Sequence, residues 1–222
     1  MTVLVAGGTG FLGNAVVREL IASGYDVAAT WVVARERERL ESEPVELIEA
    51  DLFDADQVAA AISNVQGLEA VVNLVGGFSD GPRVHETDPE DFERMLRINV
   101  MPGFLLARAA MPSLIERGGG AFVGVSARPA LRPFAGAAGY ISSKAAAVAL
   151  VQALDAEYKG DGIRCNAILP SVIDTPANRE SMPDADHSKW VPPEQIAKVV
   201  RFLVSDDSAP TSGAGIPVYG RA

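Results

Sequence analysis

Short apolar runs alternate with longer amphipathic stretches along the whole chain. Buried strands are predicted at 2–6, 25–33, 45–50, 70–75, 121–126 and 163–169, with a short last strand at 216–219. Helical patterning falls between them, over 14–22, 35–43, 54–63, 89–117, 140–159 and 193–205. The stretch 89–117 is expected to be interrupted near Asn99 and Pro102, because a mid-helix asparagine among apolar neighbours needs partners and a proline kinks a helix. Residues 177–191 read as irregular and polar, a lid by expectation. Strands and helices in this alternation predict an α/β fold, doubly wound around a mostly parallel sheet of about seven strands. There are no repeats and no long linker, so one domain spanning 1–222 is expected. Ligands of such sheets bind beyond the carboxyl ends of the strands. Asp51, Gly76 and Gly77 follow strands directly and become candidates.

Composition narrows the chemistry. The 222 residues suffice for a sizeable core, and 48% hydrophobic with 22% charged residues is a globular balance. A net charge of −10 argues against nucleic-acid and anionic-membrane partners. An anionic ligand must therefore be held by local donors. The single cysteine, Cys165, excludes an internal disulfide and reads as a small buried residue. The chain opens into a strand and glycines without a secretory leader, and no apolar run is expected to span a membrane, so the cytoplasm is the expected compartment.

The first strand runs into Gly7-Gly8-Thr9-Gly10-Phe11-Leu12-Gly13 and then a helix. Strand, glycine turn and helix are what a dinucleotide-binding turn requires. Gly7 permits the tight turn, Gly10 lets backbone approach a pyrophosphate, and Gly13 lets the helix pack on the strand. The helix N-terminus offers free N–H groups to the anion. The second strand ends in Thr30-Trp31-Val32-Val33, without the acid that NAD-specific turns place there for the ribose. Arg35, Arg37 and Arg39 follow and can meet a 2′-phosphate, which tilts the cofactor towards NADP over NAD. For Arg37 and Arg39 the solvated face of a charged helix is an equal reading.

Tyr140 and Lys144 lie four apart, on one face of a helix. A nearby ammonium favours a phenolate, so the pair can pass a proton to and from a carbonyl oxygen as hydride moves. His85 and His187 have no partner at metal-ligand spacing, so no metal site is argued. His187 reads as a surface-loop residue, and Trp190 as either lid or core.

Taken together, the segments resemble the short-chain dehydrogenase/reductase family, a Rossmann fold, over essentially the whole chain. The residues carrying the resemblance are Gly7, Gly10, Gly13, Asp51, Asn73 with Gly76, Asn99, Tyr140 with Lys144, and Pro170 to Thr175. It implies that Tyr140 is the acid/base, and that Lys144 binds the nicotinamide ribose and lowers the tyrosine pKa. It further implies that Asn99 holds a water linking Lys144 to solvent, and that a serine assists. The implied cofactor set is Gly7, Thr9, Gly10, Phe11, Leu12, Gly13, Asp51, Leu52, Asn73, Gly76, Tyr140, Lys144, Pro170, Ile173 and Thr175. Asp51 would bond the adenine amino group and Pro170 to Thr175 would line the nicotinamide. The resemblance also implies a homodimer or homotetramer through the helices at 89–117 and 140–159, which carry apolar residues on more than one face.

Three positions depart from the pattern. Phe11 stands where the commonest glycine pattern has its second glycine, and Leu74 replaces the usual second asparagine. The family's serine usually lies thirteen residues before the tyrosine; here that residue is Ala127, and Ser126 is one early. Segments 174–179 and 182–190, with Gly76-Gly77-Phe78 and 127–140, are similar to quinonoid dihydropteridine reductases, which lack that serine. The expected function is an NAD(P)H-dependent oxidoreductase passing hydride to a carbonyl or conjugated C=N group, with Tyr140, Lys144, Asn99 and Ser126 as candidate catalytic residues. The alternatives are a dihydropteridine-type reductase acting on a pterin-like substrate and, outside enzymes, a nicotinamide-cofactor-sensing binding protein.

Overall fold

Seven strands make one sheet in a computed structural model that describes residues 1–222. They are β1 (Thr2–Ala6), β2 (Asp26–Trp31), β3 (Glu46–Glu49), β4 (Leu68–Asn73), β5 (Gly120–Val125), β6 (Ile163–Pro170) and β7 (Gly215–Val218). The spatial order is β3-β2-β1-β4-β5-β6-β7, and every neighbouring pair is parallel. The expected "mostly parallel" sheet is thus fully parallel, because a helical crossover and not a hairpin leads to the last strand.

The helices are α1 (Phe11–Ala22), α2 (Ala34–Arg37), α3 (Ala55–Asn64), α4 (Pro89–Arg117), α5 (Ala138–Tyr158), α6 (Pro176–Ser181) and α7 (Pro193–Val204). Successive strand residues point to opposite faces, and the core divides accordingly. Leu4, Val71, Phe122 and Leu169 pack with α3, α4 and α5 on one face. Val3, Val5, Val72 and Val123 pack with α1 and α7 on the other. The order reverses between β1 and β4, so the ligand crevice of this topology opens beyond their carboxyl ends.

Three helical expectations need correction. The predicted helix at 35–43 is only the one-turn α2 followed by a 3-10 turn, Glu38–Leu40. The polar stretch 177–191 is partly ordered: Thr175 caps α6 with its side chain and Pro176 occupies the first helical position. A 3-10 turn, His187–Lys189, follows. Finally, α4 runs its 29 residues without interruption through Asn99, Pro102 and Pro112. It also has the length and hydropathy of a membrane-crossing helix, contrary to expectation, but half of that apolar window is buried against the protein, as befits a core helix.

Candidate active site

The glycine turn after β1 is built for close approach. Gly7 has φ 75°, a left-handed conformation that suits glycine. A Cβ on Gly13 would lie 2.1 Å from the Gly7 carbonyl oxygen, so α1 can begin against the turn only with glycine there. Buried Thr30 accepts the Gly7 N–H through Oγ1 at 3.1 Å and ties the turn to β2. Around Gly10 the only neighbour to a Cβ is the Gly7 carbonyl at 3.4 Å, so the mouth of the turn is open. No side chain caps α1, and the amides of Phe11, Leu12 and Gly13 find no acceptor in the chain. Three free N–H donors beyond the end of β1 suit a pyrophosphate.

The second half of the crevice is assembled by α4 and α5. Asn99 is 2% exposed, and its amide is fully engaged. Its Oδ1 accepts the Gly77 N–H at 2.9 Å, while Nδ2 donates to the Gly77 carbonyl (3.1 Å) and to Ser143 Oγ (3.0 Å). Ser143 in turn donates to the Tyr140 carbonyl at 2.8 Å. Asn99 therefore staples the turn after β4 to the first turns of α5. Ser143 was invisible to sequence reasoning, since its partner Asn99 lies 44 residues away.

Lys144 is 5% exposed, its Nζ makes no hydrogen bond within the chain, and, as no fully buried side-chain nitrogen or oxygen lacks a partner, that Nζ keeps contact with solvent at the crevice. It lies 6.0 Å from the centre of the Tyr140 ring. A Cβ on Gly76 would lie 2.7 Å from Nζ and 2.6 Å from Asn99 Oδ1, so Gly76 is what leaves room for this ammonium. Burial pulls Lys144 down to about 8 and pushes the Tyr140 phenol up to about 12. Desolvation alone moves the phenol, upward where a lowering was expected, and no hydrogen bond joins the Lys144 ammonium to it in the chain by itself. An ammonium on a buried stem, without a protein partner and open to the crevice, and three uncapped amides are the features a nicotinamide dinucleotide would satisfy: hydroxyls for Lys144, phosphates for the turn.

Ser126 does not face this space. Its Oγ donates to the Lys144 carbonyl at 2.7 Å, and the group is 3% exposed. Ala127, next in the chain, is extended and carries no donor. The candidate catalytic serine is therefore a brace for α5, and the reacting space lacks a hydroxyl from this loop. Phe78 packs edge-on to Tyr140, ring centres 4.9 Å apart, and is itself 59% exposed. Gly81 donates its N–H to the Gly136 carbonyl at 2.7 Å, joining the loops after β4 and β5 above Tyr140.

The remaining predicted residues divide by side chain and backbone. Asp51 is exposed at the end of β3, with Oδ1 accepting the Phe53 N–H at 2.9 Å. The Leu52 side chain is buried in the core, and only its backbone can serve the crevice. Asn73 is buried and accepts the Val75 N–H at 3.1 Å, shaping the turn that presents Gly76. After β6, Ile173 bridges to Val191, Thr175 caps α6, and Asp174 forms a two-bond pair with Arg179. His187 bonds the Met182 carbonyl at 2.9 Å, and its ring centre lies 4.3 Å from that of Trp190, so this half-exposed histidine is anchored within its segment. Trp190 is 8% exposed and belongs to the packed interior. Cys165 is buried, as expected, and burial raises its thiol to about 12.

A family model described as short chain dehydrogenase matches residues 1–186. The 2-(R)-hydroxypropyl-CoM dehydrogenase of Xanthobacter autotrophicus is 28% identical over 240 aligned residues, covering 98% of this chain and 96% of that protein. The (3R)-3-hydroxyacyl-CoA dehydrogenase of Rattus norvegicus is 30% identical over 245 aligned residues, covering 98% and 94%. A blue fluorescent protein from a metagenomic library, solved in complex with NADPH, superposes with a TM-score of 0.86 at 29% identity, covering 100% of this chain and 97% of that one. The fold is also that of a short-chain type dehydrogenase/reductase from Mycobacterium ulcerans, with a TM-score of 0.93 at 24% identity, over 99% and 88% of the two chains.

Proposed function

The chain belongs to the short-chain dehydrogenase/reductase family and is an NAD(P)-dependent oxidoreductase of it; from that premise we propose that it reduces a carbonyl or conjugated C=N group, with Tyr140 as the proton donor. The observation that carries this reading is the Gly76–Asn99–Lys144 arrangement, which spends a glycine and a buried amide to keep a partnerless ammonium beside Tyr140. A bound reduced nicotinamide supplies the hydride. Tyr140 gives its phenolic proton to the oxygen or nitrogen of the reduced bond, so that hydride and proton together saturate it. Lys144 holds the ribose hydroxyls and, as a cation, offsets the charge left on the phenolate. Asn99 and Ser143 hold Tyr140 in register. Asp51 binds the adenine edge, and Pro170, Ile173 and Thr175 flank the nicotinamide end. NADP is preferred to NAD, since β2 ends without an acid and arginines follow; the NADPH complex of a 29%-identical relative accords with this choice.

A second reading narrows the substrate to a conjugated, pterin-like acceptor. What favours it is that Ser126 is committed to the Lys144 carbonyl and Ala127 offers no donor. An acceptor that spreads incoming charge over its own ring has less need of a second hydrogen bond. The working unit is a homo-oligomer, because Met101 and Phe104 stand exposed on α4, and Ala145 and Ala149 on α5, the helix packed against it. Loss of reduced-nicotinamide absorbance across a panel of simple carbonyls and quinonoid pterins tests the reaction. Turnover that Tyr140→Phe abolishes, with cofactor binding retained, is the expected result. Absence of turnover with every acceptor and both cofactors overturns it.

A further inference from the structure

Phe78 leaves most of its surface to solvent beside the proton donor. It is 59% exposed, its ring centre lies 4.9 Å from that of Tyr140, and the two planes stand 80° apart. In an edge-to-face pair one ring covers at most one face of the other. At least one face of Phe78 is therefore free next to Tyr140. The backbone holds the ring in this place. Asn99 bonds both the N–H and the carbonyl of Gly77, at 2.9 and 3.1 Å, and so fixes the residue before Phe78. Beyond it, Gly81 donates to the Gly136 carbonyl at 2.7 Å. Gly136 has φ 83°, and a Cβ on it would lie 2.7 Å from the Gly81 carbonyl oxygen, so the two loops approach this closely only with glycine there. The loop thus joined to that of Phe78 adds Leu131 and Phe134, exposed to 60% and 46%. Single exposed apolar residues are ordinary on a protein surface, but a group of them on the loops that meet over a crevice marks a ligand.

We propose that Phe78 sets the substrate class of this chain, its free face stacking a planar, conjugated acceptor beside Tyr140, with Leu131 and Phe134 extending the apolar surface. The proposal rests on the reading that Tyr140 protonates a carbonyl or conjugated C=N group, and narrows that reading to flat acceptors. An aliphatic chain would be served as well by leucine or isoleucine at 78, whereas a ring system gains from a second ring through its quadrupole. A separate observation points the same way. Ser126 gives its hydroxyl to the Lys144 carbonyl, so an acceptor must spread incoming charge by itself, and a conjugated one does.

Phe78 also shields Tyr140, and a shield alone would act on every substrate alike. Two measurements separate the roles. In the first, kcat and KM are determined with reduced dinucleotide for a bicyclic aryl ketone and an open-chain ketone of equal carbon number, on wild type, Phe78→Leu and Phe78→Trp. Wild type should prefer the aryl ketone. Phe78→Leu keeps an apolar side chain and removes the ring; it should lower the aryl-to-open-chain ratio of kcat/KM roughly two- to tenfold, with the loss carried by KM. Phe78→Trp should hold or raise that ratio. In the second, a fully oxidised pterin, flat and itself fluorescent, is titrated with the same proteins in the presence of oxidised dinucleotide, so that binding is read without turnover. Its affinity should fall by a similar factor in Phe78→Leu and not in Phe78→Trp. An equal loss for both ketones carried by kcat, a ratio that neither substitution moves, a wild type that prefers the open-chain ketone, or a pterin affinity unchanged in Phe78→Leu overturns the assignment. Where neither ketone is reduced, the titration decides. A wild type that reduces no carbonyl and no quinonoid pterin removes the underlying reading instead, while the titration still reports on Phe78.

Discussion

Ser126 donates its hydroxyl hydrogen to the main-chain carbonyl of Lys144, 2.7 Å away, across the buried contact of the β5 end with α5. The bond holds the helix that carries the ammonium. It also removes the hydroxyl from the space where a substrate oxygen would lie. Ser126→Ala should therefore lower stability by about 1 kcal/mol and change the rate of hydride transfer by less than about tenfold. A direct oxyanion donor is worth roughly 10²–10³ in rate. A single-turnover loss of that size, with cofactor affinity intact, would return Ser126 to the reacting centre.

Ala127→Ser adds a hydroxyl next to this position, at the spacing the family uses. It should raise turnover of simple ketones and leave conjugated acceptors nearly unchanged. The ratio of kcat/KM for the two classes, before and after substitution, is the measurement. A uniform fall for both would mean that the new hydroxyl only disturbs packing around a residue that is 7% exposed.

Gly76 leaves room that no side chain can take. A methyl there would stand 2.6 Å from Asn99 Oδ1 and 2.7 Å from Lys144 Nζ. Gly76→Ala should therefore push the ammonium from its seat and reduce kcat by roughly a hundredfold or more, in keeping with the sensitivity of catalysis to misplacements of about 1 Å. Circular dichroism should show an intact fold, because the turn is at the surface of the crevice and not in the core. Wild-type kcat in this variant would show that Lys144 is not held where it acts.

Much of this arrangement was legible in the chain. Strand and helix patterning placed every strand to within a few residues, and the glycine turn, Asn73, Gly76 and the Tyr140–Lys144 pair all fall at the crevice. What stayed hidden depends on contacts between distant segments. Ser143 acts through Asn99, and Arg39 reaches Thr9 30 residues away, so neither leaves a local pattern. The tyrosine's upward shift was missed because periodicity reports a shared helix face but not the solvent lost there. The order in α6 was a missed signal, since Thr175-Pro176 is a capping pair readable from sequence.

The exposed α4–α5 face predicts self-association. Phe104 is 46% exposed and Met101 37%, with Ala145 and Ala149 exposed on the neighbouring helix. Large apolar residues on one helix and small ones on the helix packed against it suit the packing of a second copy. Wild type should elute as a dimer or tetramer at micromolar concentration, and Phe104→Asp should shift the mass downwards. A monomeric wild type by light scattering would leave this face without a partner.

The buried ammonium predicts a stability cost with a definite sign in pH. Lys144 titrates at 10.5 when solvated and near 8 in the folded chain, lowered by desolvation. Below pH 8 both states carry the proton, and the folded state bears the full penalty, of order 3 kcal/mol. Between about 8 and 10.5 the unfolded chain binds more protons than the folded one, so this contribution makes stability rise with pH. Lys144→Met keeps the unbranched stem, one atom shorter, and removes the charge. Without cofactor it should melt several degrees above wild type at pH 7, at about 2–4 °C per kcal/mol for a chain of this size. The gap should narrow as pH approaches 10. The same variant should lose turnover, because the group that burdens the fold is the one that serves the reaction. Equal melting temperatures at pH 7, or a gap that does not change with pH, would mean that Lys144 is not desolvated in solution.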